Sequence, residues 1–272
     1  MAKITKPLKI VVFDMDETLG SFVEVNIFWD ALNKYYNKQL NEQHFFEIMD
    51  LYPEFLRPQI IKILNYIKDK KHYKQCDKIM IYTNNQAPKS WALMISEYLN
   101  HKVGAKVFDN IIAAFKVQGK IVEVGRTSHN KSVEDLIRCT KIPPNTEICF
   151  IDDQYHQLME QENVYYINVV PYEYNLSYNT MIDRYYDKFK DKINNTKEEF
   201  TEKMKAILNK YNYNIKYKNE KEYDTDKVIS KQIIIHLENF FNTKNNNTRR
   251  HIRKYKKNII TRKNSKYIDK KI

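Results

Sequence analysis

The chain has 272 residues, 42% of them hydrophobic and 13% aromatic, which suffices for one substantial domain with an appendage or for two small domains. Its three cysteines are far apart and show no metal-ligand spacing, so the composition excludes a disulfide framework and a cysteine-based metal site. No secretory signal and no membrane-length apolar run is visible, so we expect a cytoplasmic or nuclear protein that is not secreted and has no membrane partner.

The net charge of +12 is concentrated at one end of the chain. Residues 244–272 contain 12 Lys or Arg and a single acid, Asp269, whereas residues 1–243 contain 34 basic and 33 acidic residues. Large apolar side chains are scarce from residue 243 onward, which indicates a disordered basic tail over 243–272. Such a tail could contact nucleic-acid phosphates or serve as a localisation signal, and the composition does not choose between them.

The first predicted strand is the apolar run of residues 10–13, which stops at two carboxylates, Asp14 and Asp16. A short apolar run is typical of a strand buried on both faces of a parallel sheet. Open α/β sheets bind ligands outside the carboxyl ends of their strands, so these side chains are well placed for chemistry. Their negative charges require a positive partner, and a hard divalent cation such as Mg²⁺ is the simplest one.

Apolar residues at helical spacing follow over residues 20–58, where we predict a small insert of one or two short helices lying over the end of the first strand. Its aromatic side chains indicate packing rather than a ligand cage. Pro53 and Pro58 end the insert, and a further helix is predicted from residue 60 to about residue 70.

A second strand, residues 79–82, ends at Thr83 and Asn84. Pro88 suits the first position of the helix that follows. A third strand is predicted within residues 107–115, and after it comes an irregular stretch whose glycines mark turns.

A helix start follows the irregular stretch. Ser132 suits its N-cap position, and Asp135 lies where the acid of a capping box is expected. Lys131 therefore stands beside a helix N-terminus, a position that favours anion binding.

Two more apolar runs complete the alternation of strands and helices. Residues 148–151 end at Asp152 and Asp153, and residues 164–170 form the last predicted strand. The alternation predicts a Rossmann-like α/β domain over residues 1–175, with a parallel sheet and helices on both of its faces.

Beyond Pro171 the pattern contains helices without strands, which predicts a helical C-terminal extension over residues 176–242. Thr196 and Glu199 have the spacing of a capping box at the start of one helix. A second amphipathic helix is predicted over residues 228–241.

Four groups of polar residues occur in the order of the four motifs of a known family. Along the chain they are Asp14-x-Asp16-x-Thr18, Thr83, Lys131 and Asp152-Asp153. In this order they resemble the haloacid dehalogenase superfamily over about residues 8–170. The resemblance implies a Mg²⁺-dependent phosphatase that works through an aspartyl-phosphate intermediate.

The resemblance also implies a role for each residue. Asp14 would be the nucleophile and Asp16 the general acid and base. The residues that would hold the phosphoryl group are Thr83, Asn84 and Lys131. Those that would bind Mg²⁺ are Asp14, Asp16 through its backbone carbonyl, Asp152 and Asp153, the last through a bound water or by contacting another ligand.

Some of these roles have alternatives. For Asp153 and Asn84 the alternative is a structural one, in capping or in turn hydrogen bonds. Lys131 could be a solvated helix residue, in which case Lys116 or Lys120 in the nearby irregular stretch could hold the phosphate.

A narrower resemblance concerns the substrate. Three motifs are similar to those of the phosphatases that act on the RNA polymerase C-terminal domain, the NLI-interacting-factor-like members of the superfamily. These motifs are the residues around Asp14, Leu56-Arg57-Pro58 and Asp152-Asp153. This implies a phosphorylated protein as substrate, with a small molecule as the other possibility. The alternative of a different class is a nucleic-acid-binding protein with a basic tail and a secondary or inactive phosphatase core. The two hypotheses combine in a polynucleotide-end phosphatase.

Overall fold

The computed structural model describes residues 6–211 and 218–242. Its strands are β1 (Lys9–Phe13), β2 (Lys78–Tyr82), β3 (Asn110–Ile112), β4 (Lys116–Val117), β5 (Lys120–Ile121), β6 (Glu147–Asp152) and β7 (Val164–Asn168). Five of them form one sheet in the order β3-β2-β1-β6-β7, and every neighbouring pair in that sheet is parallel. The predicted Rossmann-like α/β architecture is confirmed.

The described α-helices are α1 (Val23–Tyr36), α2 (Glu42–Leu51), α3 (Ile60–His72), α4 (Lys89–Val103), α5 (Val133–Thr140), α6 (Tyr178–Phe189), α7 (Lys197–Leu208) and α8 (Glu220–Asn242). Helices α1 and α2 are the predicted insert after the first strand. Helix α4 begins one residue later than predicted, because Pro88 occupies its N-cap rather than its first helical position.

Alternating side chains of β1 explain why helices cover both faces of the sheet. Val11 and Phe13 join the larger hydrophobic cluster, which includes residues of the insert and of the C-terminal helices. Ile10 and Val12 join the smaller cluster, which includes side chains of α5. Because β1 is buried on both faces, it can be apolar over residues 10–13.

The stretch between β3 and α5, predicted to be irregular, contains a small hairpin. Its strands β4 and β5 pair antiparallel around Gln118 and Gly119, whose φ angles are 49° and 77°. Two successive residues with positive φ are typical of a type I′ turn. The hairpin carries Lys116 and Lys120.

The two predicted capping boxes have different outcomes. At α7, Thr196 accepts from the backbone N–H of Glu199 while the Glu199 side chain accepts from that of Thr196, so the box is confirmed. At α5, Ser132 is the N-cap and accepts from the N–H of Asp135. The reciprocal bond is not formed, because the Asp135 carboxylate instead accepts from the backbone and hydroxyl of Thr127.

The C-terminal helices lie against the rest of the chain. Helix α7 packs on α1 and α6, and α8 contacts α3 and β7. The division of the chain at residue 175 stays a prediction, and the basic tail over 243–272 lies outside the described residues. Among the residues that are described, no helix has both the length and the apolar character needed to cross a membrane.

Candidate functional site

Three buried carboxylates meet at the carboxyl ends of β1 and β6. The two strands pair in register, with Phe13 opposite Ile151, so Asp14 and Asp152 leave the sheet side by side. One carboxylate oxygen from each of Asp14, Asp152 and Asp153 lies within 4.8 Å of the others. A cluster of hard oxygen donors of this kind is suited to holding Mg²⁺.

Lys131 is the cation of this site. Its ammonium group donates hydrogen bonds to Asp14 and, at 2.7 Å, to Asp152, and the side chain is almost completely buried. Although burial lowers its pKa, the two carboxylates outweigh that effect and raise the pKa above its ordinary value, so the charge is retained. Lys120 is exposed on the hairpin and Lys116 lies over the ring of Phe115.

Asp16 lies apart from the three-carboxylate cluster. One oxygen, Oδ2, accepts a hydrogen bond from the Asn85 amide at 2.7 Å, whereas the buried Oδ1 has no partner among the described residues. Burial, followed by the charge of Asp14, raises the pKa of Asp16 to about 7. A carboxyl group in this state can exchange a proton near neutral pH.

Thr18 connects the loop after β1 to the loop after β6. Its hydroxyl donates to Oδ1 of Asp153 and accepts from the backbone N–H of Asp153, both at 3.1 Å. The backbone carbonyl of Asp153 accepts in turn from Asn168 at 3.0 Å. These bonds hold Asp153 within the acidic cluster.

His156 is a neighbour of the cluster that was not predicted. Its Nε2 lies 3.5 Å from Oδ2 of Asp152. Burial and the nearby charges of Lys131 and Arg126 lower the pKa of His156 to about 4, so the imidazole is neutral near pH 7. It therefore contributes no positive charge to the site.

Thr83 and Asn84 follow β2 on the other side of β1. Thr83 is buried, its N–H donates to the carbonyl of Ile112, and its hydroxyl accepts from the N–H of Asn85. Since Asn85 also donates to Asp16, this loop is joined to the loop that carries the acidic residues.

Arg126 is a second buried cation near these loops. Its guanidinium donates to the carbonyls of Thr83, Ala113 and His129 and to the side-chain oxygen of Asn84, over distances of 2.7–3.0 Å. No sequence motif singled it out, and only its position five residues before Lys131 distinguishes it.

Arg57 holds the loop after β1 in shape. Its guanidinium donates to the carbonyls of Glu17, Thr18 and Val170 at 2.6–2.9 Å. Within this loop Glu17 has a φ of 58°, a left-handed conformation that is uncommon for residues other than glycine. Strain of this kind persists where surrounding contacts enforce it.

Comparison of the sequence with models of known protein families gave no match, and comparison with curated proteins gave none.

Proposed function

We propose that this protein is a Mg²⁺-dependent phosphomonoester phosphatase of the haloacid dehalogenase type, with Asp14 as its nucleophile. The observation that carries the proposal is the acidic cluster of Asp14, Asp152 and Asp153 together with the ammonium group of Lys131. A phosphoryl-transfer site needs an anionic nucleophile and positive charge to neutralise the substrate, and the protein mainly positions these groups.

The donor set fits the proposed cation. The three carboxylates, all buried, supply the hard oxygen atoms that Mg²⁺ prefers, and one oxygen of each lies within 4.8 Å of the others. When bound, Mg²⁺ would neutralise negative charge on the phosphoryl oxygens. Asp14, Asp152 and Asp153 would hold it, together with the backbone carbonyl of Asp16.

The chain's own residues account for the proton and bond changes. The Asp14 carboxylate attacks phosphorus, the bond from phosphorus to the ester oxygen breaks, and Asp16 gives its proton to the leaving alkoxide. Water then attacks the aspartyl-phosphate, Asp16 takes up its proton, and the bond from phosphorus to Asp14 breaks. Lys131, Thr83 and Asn84 hold the phosphoryl oxygens during both steps.

The test is hydrolysis of an aryl phosphate by the full chain, with Mg²⁺ and with excess chelator. We expect chelation to abolish turnover and Asp14→Asn to lower kcat by at least about 10³-fold, because the nucleophile is lost. Asp50→Asn is the matched control, since Asp50 is an exposed aspartate that pairs with Lys102. Turnover that survives in Asp14→Asn would refute the mechanism.

A substrate screen follows from the same assay. Phosphopeptides, nucleotides, sugar phosphates and 3′-phosphorylated oligonucleotides represent the substrate classes that the sequence leaves open. Preference for phosphopeptides would support the phosphoprotein hypothesis, and preference for oligonucleotides would support a polynucleotide-end phosphatase.

A further inference from the structure

Arg126 is a buried cation held by neutral groups alone. The residue is 3% exposed, and among residues 6–211 and 218–242 the hydrogen-bond partners of its guanidinium include no carboxylate. Its partners are three backbone carbonyls and one amide oxygen, and its guanidinium lies 4.8 Å from the ring centre of Tyr82. Burying a charge without an oppositely charged partner is costly, which indicates that Arg126 does more than fill space.

The partners of Arg126 belong to three separate loops. Thr83 and Asn84 follow β2, Ala113 follows β3, and His129 lies two residues before Lys131. The guanidinium fork therefore joins the loop proposed to hold the phosphoryl group to the segment that delivers the phosphate-binding lysine. A planar group with several fixed donors is suited to this task, whereas a lysine ammonium is not.

The bond to Asn84 has a further effect. The Arg126 guanidinium donates a hydrogen bond to the side-chain oxygen of Asn84 at 2.7 Å. The amide NH₂ of Asn84 is then a donor without a partner among the described residues. A donor, rather than an acceptor, is what an anionic phosphoryl oxygen requires. The nearby buried positive charge also favours an anion over a neutral ligand.

The geometry points to Arg126 as the positioning residue of the phosphoryl site, which orders the Thr83–Asn84 loop and the approach to Lys131 and so sets affinity for the phosphate group. This inference rests on the proposed function. Arg126 acts through Asn84, Thr83 and His129, whereas the acidic cluster that would hold Mg²⁺ is built on β1 and β6.

The inference is tested by separating phosphate affinity from metal affinity in the full chain. In Arg126→Ala we expect the Kd of inorganic phosphate, measured by calorimetry with Mg²⁺, and the KM of an aryl phosphate to rise by at least about tenfold. The Mg²⁺ concentration that gives half-maximal activity should change by less than about twofold, because the carboxylates that bind it are not contacted by Arg126.

Chemical rescue adds a measurement that general loss of structure would not produce. Millimolar guanidinium should restore phosphate affinity in Arg126→Ala, and urea, which is planar but neutral, should not. Arg126→Lys is a second variant for the case in which Arg126→Ala does not fold. It keeps the charge but lacks the planar guanidinium, so it should bind phosphate more weakly than the wild type. Arg138→Ala is the matched control, because Arg138 is a partly exposed arginine of α5 that pairs with Asp135 and donates to the carbonyl of Gly125 rather than to Thr83 or Asn84.

Three results would overturn the inference while leaving the phosphatase proposal intact: wild-type phosphate affinity in a folded Arg126 variant, equal loss in Arg138→Ala, or parallel loss of Mg²⁺ and phosphate affinity. If the wild-type protein neither binds phosphate nor hydrolyses any phosphomonoester, the proposed function itself fails.

Discussion

Asp16 illustrates how the environment of one residue determines its chemistry. Its burial and the charge of Asp14 raise its pKa to about 7, so near neutral pH a substantial fraction carries the proton that a leaving alkoxide needs. We therefore expect kcat/KM for an alkyl phosphate to fall as the pH rises through about 7. An aryl phosphate should show a smaller decrease, since its leaving group needs less help from an acid.

The variant Asp16→Asn checks this assignment. Its kcat/KM for the alkyl phosphate should be lower by about 10²–10⁴-fold and should lose the decrease at high pH, because the group that titrates has been removed. The pH profiles of both substrates, recorded for the wild type and the variant, are the measurement. An unchanged profile in Asp16→Asn would assign the acid to another residue.

Glu24 is a buried acid outside the candidate site. In the first turn of α1 it accepts from the backbone N–H of Leu176 at 3.1 Å, while its Oε1 has no partner among the described residues. Burial raises its pKa to about 7. Because the folded-state pKa lies above the unfolded value, the stabilising effect of protonation is complete below about pH 4 and is lost as the pH rises through about 7.

Glu24→Gln should therefore be more stable than the wild type at alkaline pH, by on the order of 2 kcal/mol at about pH 8, and nearly equal to it at about pH 4. Urea unfolding at both pH values measures the difference. Glu42→Gln is the control, because Glu42 occupies the first turn of α2 but is exposed. A stability difference for Glu24→Gln that does not vary with pH would contradict the assignment.

At the scale of structural elements, the loop after β1 depends on Arg57. Its guanidinium supplies donors to the carbonyls of Glu17, Thr18 and Val170, so Arg57→Met would leave buried acceptors unpaired. We expect a loss of at least about 3 kcal/mol in the free energy of unfolding, measured with urea.

Arg184→Met provides the comparison for Arg57→Met. Arg184 pairs with Glu54 near the surface, and about a third of its side chain is exposed. Its substitution should therefore lower the free energy of unfolding by no more than about 1 kcal/mol. Equal effects of the two substitutions would mean that the buried carbonyls do not depend on Arg57.

The strands and most helices were predictable because their apolar periodicity is strong, as in β1 and α3. The hairpin of β4 and β5 was missed because its strands have two residues each and its turn is Gln118-Gly119, a weaker signal than Asn-Gly. Of the two hydrogen bonds of the capping box predicted at Ser132, only the one to the Ser132 side chain forms. The Asp135 carboxylate accepts instead from Thr127, which only the folded chain brings near.

In the candidate site, too, residues that follow a sequence pattern were predictable and residues that act through contacts in the folded chain were not. The proximity of Asp14, Asp152 and Lys131 was predictable because each stands at the end of a strand or the start of a helix, and parallel strands bring such positions together. Their roles in catalysis stay a prediction. Asn85 and Arg126 were missed. They act on loop groups and backbone carbonyls, for which an amino-acid sequence provides no spacing rule.

At the scale of the whole molecule, one hydrophobic cluster includes side chains of the sheet, the insert and the C-terminal helices. Leu237 of α8 is completely buried in it, so Leu237→Ala should lower the free energy of unfolding by about 2–5 kcal/mol. Val228→Ala, on the exposed part of the same helix, should change it by less than about 0.5 kcal/mol. A negligible effect of Leu237→Ala would show that α8 does not contribute to the stability of the core.

The central claim for the whole molecule is that Asp14 becomes covalently phosphorylated. The most direct measurement is to mix Asp16→Asn, in which the water-dependent second step is slowed, with an aryl phosphate and Mg²⁺, reduce the acyl phosphate with borohydride, and locate the product by peptide mass spectrometry. The mechanism predicts homoserine at position 14, formed only in the presence of both substrate and Mg²⁺. Release of the aryl alcohol without modification of Asp14, or with modification at another carboxylate, would contradict it.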